Sequence, residues 1–328
     1  MEYQILLSNL TNPTLLFFLL GIIATLLKSD LEIPSTSIRF ISLYLLFAIG
    51  FRGGQELGHS TIGVEIIYSL LFGVIAATLI PLYSFFILRR RLSVSDAAAV
   101  AAAYGSVSAV TFVAASSFLE AQQIEFGGHM VAVMALMESP AIIVGVILMM
   151  KYATDDERAD GGTGNGGLKS IIQHSFTNGS VLMLLGSLLI GFVADTKQAE
   201  GIKPFTTDIF KGFLAIFLLE MGMVTAKRFS AFIRYGRFVT IFAIVAPLVN
   251  GTIVAILSGL VTESVGDRFM FAILAASASY IAVPAAMRIA APAADPGLYI
   301  PMALGVTFPF NITIGMPIYF LAVKHIKF

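Results

Sequence analysis

The chain of 328 residues is 57% hydrophobic and 12% charged, has a formal net charge of zero and contains no cysteine; its mean hydropathy is +0.89. Soluble domains carry about a quarter charged residues, so this chain has too little charge for a water-facing surface and reads as an all-α polytopic membrane protein. The composition excludes disulfides, thiol chemistry and a Cys-built metal site, and the charge balance predicts no nucleic-acid partner.

A helix needs about 20 apolar residues to cross a bilayer. Apolar runs of that order fall at 13–28, 36–52, 62–88, 96–119, 128–152, 179–195, 205–225, 236–261, 267–290 and 297–323, which predicts ten transmembrane helices. The runs at 13–28 and 179–195 are short for a straight crossing and suit tilted or half-membrane helices. No basic stretch precedes the first run, which therefore reads as a true span rather than a cleaved leader.

One long polar stretch interrupts the series. Residues 154–167, from Thr154 through Asp155, Asp156 and Glu157 to Gly166 and Gly167, are acidic and Gly-rich, which predicts a linker. It divides the chain into a first five-span unit over 1–152, a linker over 153–175 and a second five-span unit over 176–328. The two units resemble each other in order. Thr14–Gly21 matches Gly179–Gly186, Leu46–Phe51 matches Leu218–Met223, and Met137–Pro140 falls where Val306–Pro309 falls. An odd number of spans per unit inverts the second repeat. Arg89, Arg90, Arg91, Lys151, Lys227 and Arg228 crowd one face, so that face is expected to be cytoplasmic, with the linker inside and both termini outside.

The most telling features sit in the fourth and ninth runs. Ser106 follows Asp96 by the same interval as Ser277 follows Asp267, and Ser108 corresponds likewise to Ser279. Tyr104-Gly105-Ser106-Val107-Ser108-Ala109-Val110-Thr111 and Ala276-Ser277-Ala278-Ser279-Tyr280-Ile281-Ala282 are small and polar where lipid cannot satisfy exposed backbone. Paired interruptions at corresponding places in two halves point to a transporter's binding site. A restarted half-helix offers free N–H groups and a positive dipole end, which attract an anion, while the free carbonyls of the preceding half-helix suit Na⁺. The competing reading is two continuous helices packed through small residues.

Glu138 and Glu220 lie inside apolar runs, where a carboxylate usually faces a cavity or a partner. Glu138 is a candidate Na⁺ ligand with Ser106, Thr111 and Ser139, or a proton carrier; each acid also fits a structural role at a helix terminus. Arg288 reads best as a charge at the membrane boundary. Asn250 and Asn311 read best as helix-to-helix hydrogen-bonding residues. His59, His129, His174 and His325 have no metal-ligand spacing, and no P-loop, dinucleotide fingerprint or nucleophile–base pattern suggests an enzyme.

The motifs Ile49-Gly50-Phe51-Arg52-Gly53-Gly54, Gly105-Ser106-Val107-Ser108, Glu138-Ser139-Pro140-Ala141, Met221-Gly222-Met223, Val245-Ala246-Pro247-Leu248, Ala275-Ala276-Ser277-Ala278-Ser279 and Ile314-Gly315-Met316-Pro317 run in order along the chain. Through them the chain resembles the sodium-dependent bicarbonate transporter family, best known from cyanobacteria. The resemblance implies ten spans as two inverted repeats with crossed broken helices, a core and a gate domain, and elevator-like movement. It implies a homotrimer in the inner membrane that takes up HCO₃⁻ with Na⁺, embedded in lipid. It points to Gly105, Ser106, Ser108, Thr111, Ser277, Ser279 and Tyr280 as the anion site. In the family a small PII-like protein regulates cyanobacterial members. The chain departs from the family's pattern at Val110, where the pattern has a hydroxyl, and at Tyr280, where it has an Asp. Glu138 replaces an Asp, and Pro284-Ala285 replaces a tandem proline. These departures leave another small carboxylate, proton-coupled exchange, or a non-transporting sensor as alternatives.

Overall fold

The computed structural model describes residues 12–59, 63–153, 179–232 and 235–326. The linker expected at 153–175 lies almost wholly outside the described residues. All secondary structure among the described residues is helical. The first part holds α1 (Pro13–Leu26), α2 (Ser35–His59), α3 (Val64–Leu88), α4 (Val94–Gly105), α5 (Ala109–Ala121) and α6 (His129–Tyr152). After the linker come α7 (Gly179–Val193), the short α8 (Thr196–Glu200), α9 (Phe210–Phe232), α10 (Arg237–Leu257), α11 (Val265–Ala276), α12 (Ala282–Ala290) and α13 (Pro296–His325). Seven helical stretches are long and apolar enough to cross a membrane, counting Val94–Ala121 as one, and α1 and α7 are shorter apolar helices. The protein is therefore built as a polytopic membrane protein.

Side-chain pattern explains which surfaces meet lipid. On α3, Val64, Ile67, Tyr68, Leu71, Ile75 and Leu79 recur at helical spacing and all are exposed. Such a stripe suits hydrocarbon, where apolar exposure costs nothing. Its opposite face carries Ser69, Gly73, Ala77 and Pro81, all buried, and packs on α4 and α6.

Two helix pairs cross the linker at very close range. On α1 and α9, a Cβ at Gly21 would overlap the Leu219 carbonyl, and one at Gly222 would overlap the Phe18 carbonyl. The Thr25 hydroxyl also donates to the Met223 carbonyl at 3.3 Å. On α2 and α7, a Cβ at Gly54 would overlap the Leu188 carbonyl and one at Gly191 the Phe51 carbonyl. Within lipid there is no hydrophobic drive between helices, so association rests on backbone approach of this kind.

α4 and α11 are enclosed by other helices. Ala97 through Ala103 on α4 are fully buried against α3 and α6. α11 packs on α5, α10 and α13, with Phe118 and Phe269 stacked at 5.3 Å and both edge-on to Phe320.

The broken helices start alike. Ser93 caps α4 by accepting the Asp96 N–H at 3.1 Å, and Ser264 caps α11 by accepting the Asp267 N–H at 3.2 Å. A Ser followed three residues later by an acid is a helix-start pattern that satisfies orphan donors. α13 is irregular in its middle, passing through π-helical stretches at Met302–Thr307 and Asn311–Gly315.

Candidate functional site: two broken helices around a small cavity

α4 stops at Gly105 because Ser106 turns extended, with φ −86° and ψ 170°. α5 restarts at Ala109 behind Ser108, whose Oγ accepts the Thr111 N–H at 3.2 Å. The second break repeats this: α11 stops at Ala276, Ser277 is extended at φ −80° and ψ 167°, and α12 restarts at Ala282. The Ser279 hydroxyl accepts the Val283 N–H at 3.4 Å. Both helices are therefore interrupted where the small polar residues fall, and the continuous-helix alternative fails.

The two interruptions are stitched to each other. The Ser108 N–H donates to Ser277 Oγ at 3.0 Å, and that hydroxyl donates to the Leu274 carbonyl at 2.8 Å. In the other direction the Ser279 N–H donates to the Ala103 carbonyl at 2.8 Å. Gly105 lets the chain pass α3 and α6, since a Cβ there would overlap Pro81 and press on Ala141.

A cavity of ≈ 40 Å³ lies beside the crossing. Its walls include Ser108, Ala109 and Val110 from the start of α5, Ser279 to Ala282 from the second break, and Glu138 from α6. The first turns of two restarted helices thus face one space. Four of the sequence-derived candidates line it: Ser108, Ser279, Tyr280 and Glu138. Gly105, Ser106, Thr111, Ser277 and Ser139 are not among its lining residues; Ser106, Thr111, Ser277 and Ser139 are buried around it. Ser277 is already engaged in structural hydrogen bonds, whereas its counterpart Ser106 has a buried hydroxyl with no hydrogen-bond partner among the described residues. A buried orphan hydroxyl calls for an explanation such as a bound ion or water.

Tyr280 fills part of the wall. Its ring meets Phe308 edge-on at 6.3 Å. Its hydroxyl is buried near Ser108 but makes no hydrogen bond of normal geometry among the described residues. Glu138 has no ion pair among the described residues. Glu220 does not line the cavity. The backbone of Arg288 lies in α12, and its side chain is outside the described residues.

Sequence reasoning missed Ser42 and Ser180, which line the cavity from α2 and α7. A single serine in an apolar run carries little signal, and only the pairing of α2 with α7 brings these two to the site. A larger groove of ≈ 590 Å³ opens at the C-terminal ends of α2 and α5, with Arg52, Glu56, Glu120 and Glu125 in its walls. It does not touch the breaks, so its size gives it no claim on the chemistry of the crossing.

The paired breaks, their order along the chain and the polytopic build agree with one further finding. The family model of the Na⁺-dependent bicarbonate transporter superfamily matches residues 13–324. The chain belongs to that superfamily. Among curated proteins, none matches the chain. Membership in the Na⁺-dependent bicarbonate transporter superfamily makes this a membrane transporter whose coupling ion is expected to be Na⁺. Hydroxyls, backbone carbonyls and one carboxylate are donors that suit such a hard cation.

Proposed function

We propose that the protein is a secondary active transporter that takes up bicarbonate together with Na⁺. The observation that carries this reading is the cavity framed by two half-helix N-termini, those of α5 and α12. An anion there meets N–H groups and the positive ends of two dipoles without any cationic side chain. Ser108, Ser279 and Tyr280 supply hydroxyls around it, with Gly105, Ser277 and Thr111 shaping the backbone behind. Na⁺ is held by oxygens from Ser106, Thr111, Glu138 and Ser139, which explains the orphan Ser106 hydroxyl.

The architecture belonging to this reading is ten spans in two inverted repeats, 1–152 and 176–328, joined by a cytoplasmic linker at 153–175. Both termini lie outside the inner membrane. Equivalent close approaches in two helix pairs support the repeat: Gly222 meets Phe18 across α1 and α9, and its counterpart Gly50 meets Leu184 across α2 and α7. In this picture α1, α2, α7 and α9 form the gate, and the body around α4 and α11 forms the core. The core moves as an elevator within a homotrimer.

The experiment is uptake of labelled bicarbonate into proteoliposomes with an imposed Na⁺ gradient. Gradient-dependent uptake supports the reading, and no uptake by verified folded protein sinks it.

Glu138 in the cavity wall favours a second reading, in which a proton replaces Na⁺ and the cargo is another small carboxylate. Uptake driven by a pH jump without Na⁺ separates the two. A ligand-induced thermal shift with no flux would instead indicate a sensor.

A further inference from the structure

Pro247 lies inside α10 and frees a carbonyl. Proline has no N–H, so the Ala243 carbonyl, four residues earlier, lacks its helical donor. The Thr307 hydroxyl donates to that carbonyl at 2.7 Å. Thr307 has one proton, so at 2.6 Å from Tyr104 it acts as acceptor for the Tyr104 hydroxyl. Tyr104 is the residue before the last of α4.

A second chain reaches the same turn of α10 from the other break. The Ala276 carbonyl ends α11 and accepts Asn311 Nδ2 at 2.7 Å. The Tyr319 hydroxyl lies 3.2 Å from Asn311 Oδ1 and 2.9 Å from the Pro247 carbonyl, with its proton shared between them. Tyr104, Thr307, Asn311 and Tyr319 are all fully or almost fully buried. Gly251 makes room, since a Cβ there would press on the Tyr319 ring at 2.5 Å.

Thr307 closes the first π-helical stretch of α13 and Asn311 opens the second. π-Bulges re-aim side chains and recur at functional sites. Here they turn one hydroxyl and one amide toward the ends of α4 and α11. Neither residue lines the cavity, so neither touches the cargo.

We propose that Thr307 and Asn311 are positioning residues that tie the C-terminal ends of both broken half-helices to the Ala243–Pro247 turn of α10. That turn is then a shared anchor that sets how the two breaks sit against each other, and hence the shape of the anion pocket. The transport consequence rests on the proposed bicarbonate function; the anchoring itself does not.

The test uses the full chain in nanodiscs and proteoliposomes, with Thr307→Val, Thr307→Ser, Asn311→Leu and, as a control, Tyr44→Phe. Tyr44 on α2 donates a partly buried hydrogen bond to the Phe205 carbonyl and takes no part in the chain of Tyr104, Thr307, Asn311 and Tyr319. Hydrogen–deuterium exchange is read on peptides covering 104–110 and 277–283, which contain the Ser108 and Ser279 amides. Thr307→Val is expected to speed exchange about tenfold at both breaks, as loss of a buried hydrogen bond that supports both should. This includes Ser279, whose break Thr307 does not touch. Asn311→Leu is expected to do the same in reverse, and Thr307→Ser and Tyr44→Phe to stay near wild type. In uptake, Thr307→Val and Asn311→Leu raise the KM for bicarbonate several-fold more than they lower the maximal rate. Exchange that rises only at the contacted break, or no more than in Tyr44→Phe, overturns the proposal. If Asn311→Leu does not fold, the Thr307 pair decides. Wild type that carries no bicarbonate defeats the proposed function alone, and the exchange result still decides the anchoring.

Discussion

Asp96 and Asp267 do the same work at opposite ends of the protein. Each stands three residues after a capping serine, and each accepts a backbone N–H from the segment leading into another helix: Asp96 from Asp295, ahead of α13, at 2.8 Å, and Asp267 from Gly127, ahead of α6, at 2.6 Å. Asp295 then caps α13 through the Gly297 N–H, and His129 at the start of α6 lies 3.9 Å from Asp267. Each broken helix is therefore held at its outer end by a carboxylate and at its inner end by the other break.

The first prediction concerns that outer hold. Asp267→Ala removes a charge-assisted acceptor at a nearly buried position, and such bonds are worth about 1.5–3 kcal/mol. A thermal-unfolding assay in detergent should show a lower midpoint for Asp267→Ala than for Asp96→Ala, because Asp96 is more exposed to water. Equal midpoints would mean that the two carboxylates do not differ in burial as described.

The second concerns helix approach. Gly21→Leu and Gly222→Leu force a side chain into a facing carbonyl, and overpacking of this kind costs about 1–3 kcal/mol or more. Both variants should express poorly and lose the folded peak in size-exclusion chromatography. Gly186→Leu is the control, since nothing lies within 4 Å of a Cβ there, and it should behave as wild type.

The breaks themselves were legible because Gly105, Ser106, Ser108, Ser277 and Ser279 are the residue types that end and restart helices. α4 ends at Gly105 and α11 at Ala276, inside the windows that the sequence singles out. The helix-to-helix role of the asparagines was legible too: Asn250 accepts from the Tyr83 hydroxyl and Asn311 donates to Ala276. Other features depend on packing that local sequence does not encode. Glu138 and Glu220 look alike as acids in apolar runs, yet of the two only Glu138 lines the cavity, because its helix α6 packs on α4 beside the first break. Nor does the sequence separate Ser106 from Ser277: only in the fold does Ser277 Oγ meet the Ser108 N–H and the Leu274 carbonyl. The π-helical stretches of α13 have no simple residue signature, so the reach of Thr307 to Tyr104 was invisible before the fold.

A third prediction separates cation from anion ligands. Glu138→Gln removes a charge from the cavity wall but keeps its size, so the Na⁺ concentration for half-maximal uptake should rise about tenfold or more, in line with losing one strong ligand. The KM for bicarbonate at saturating Na⁺ should change far less. An unchanged Na⁺ dependence would remove Glu138 from the cation site and strengthen the proton-coupled reading.

A fourth concerns the hydroxyls. Ser279→Ala removes an acceptor from the α12 start and a cavity-facing group, while Ser108→Ala also removes the cap of α5, worth about 1 kcal/mol. Both should raise the KM for bicarbonate, and Ser108→Ala alone should also lower thermal stability. Loss of stability in Ser279→Ala of the same size would show that the two breaks are capped more alike than their geometry indicates.

The most direct measurement is labelled bicarbonate uptake by proteoliposomes under an inward Na⁺ gradient, comparing wild type with Ser108→Leu. A leucine at 108 fills the ≈ 40 Å³ cavity and removes the hydroxyl at its wall. The account predicts Na⁺-dependent uptake by wild type and none by Ser108→Leu at equal amounts of folded protein. Uptake that survives the substitution would show that the crossing of the two broken helices is not where the anion binds.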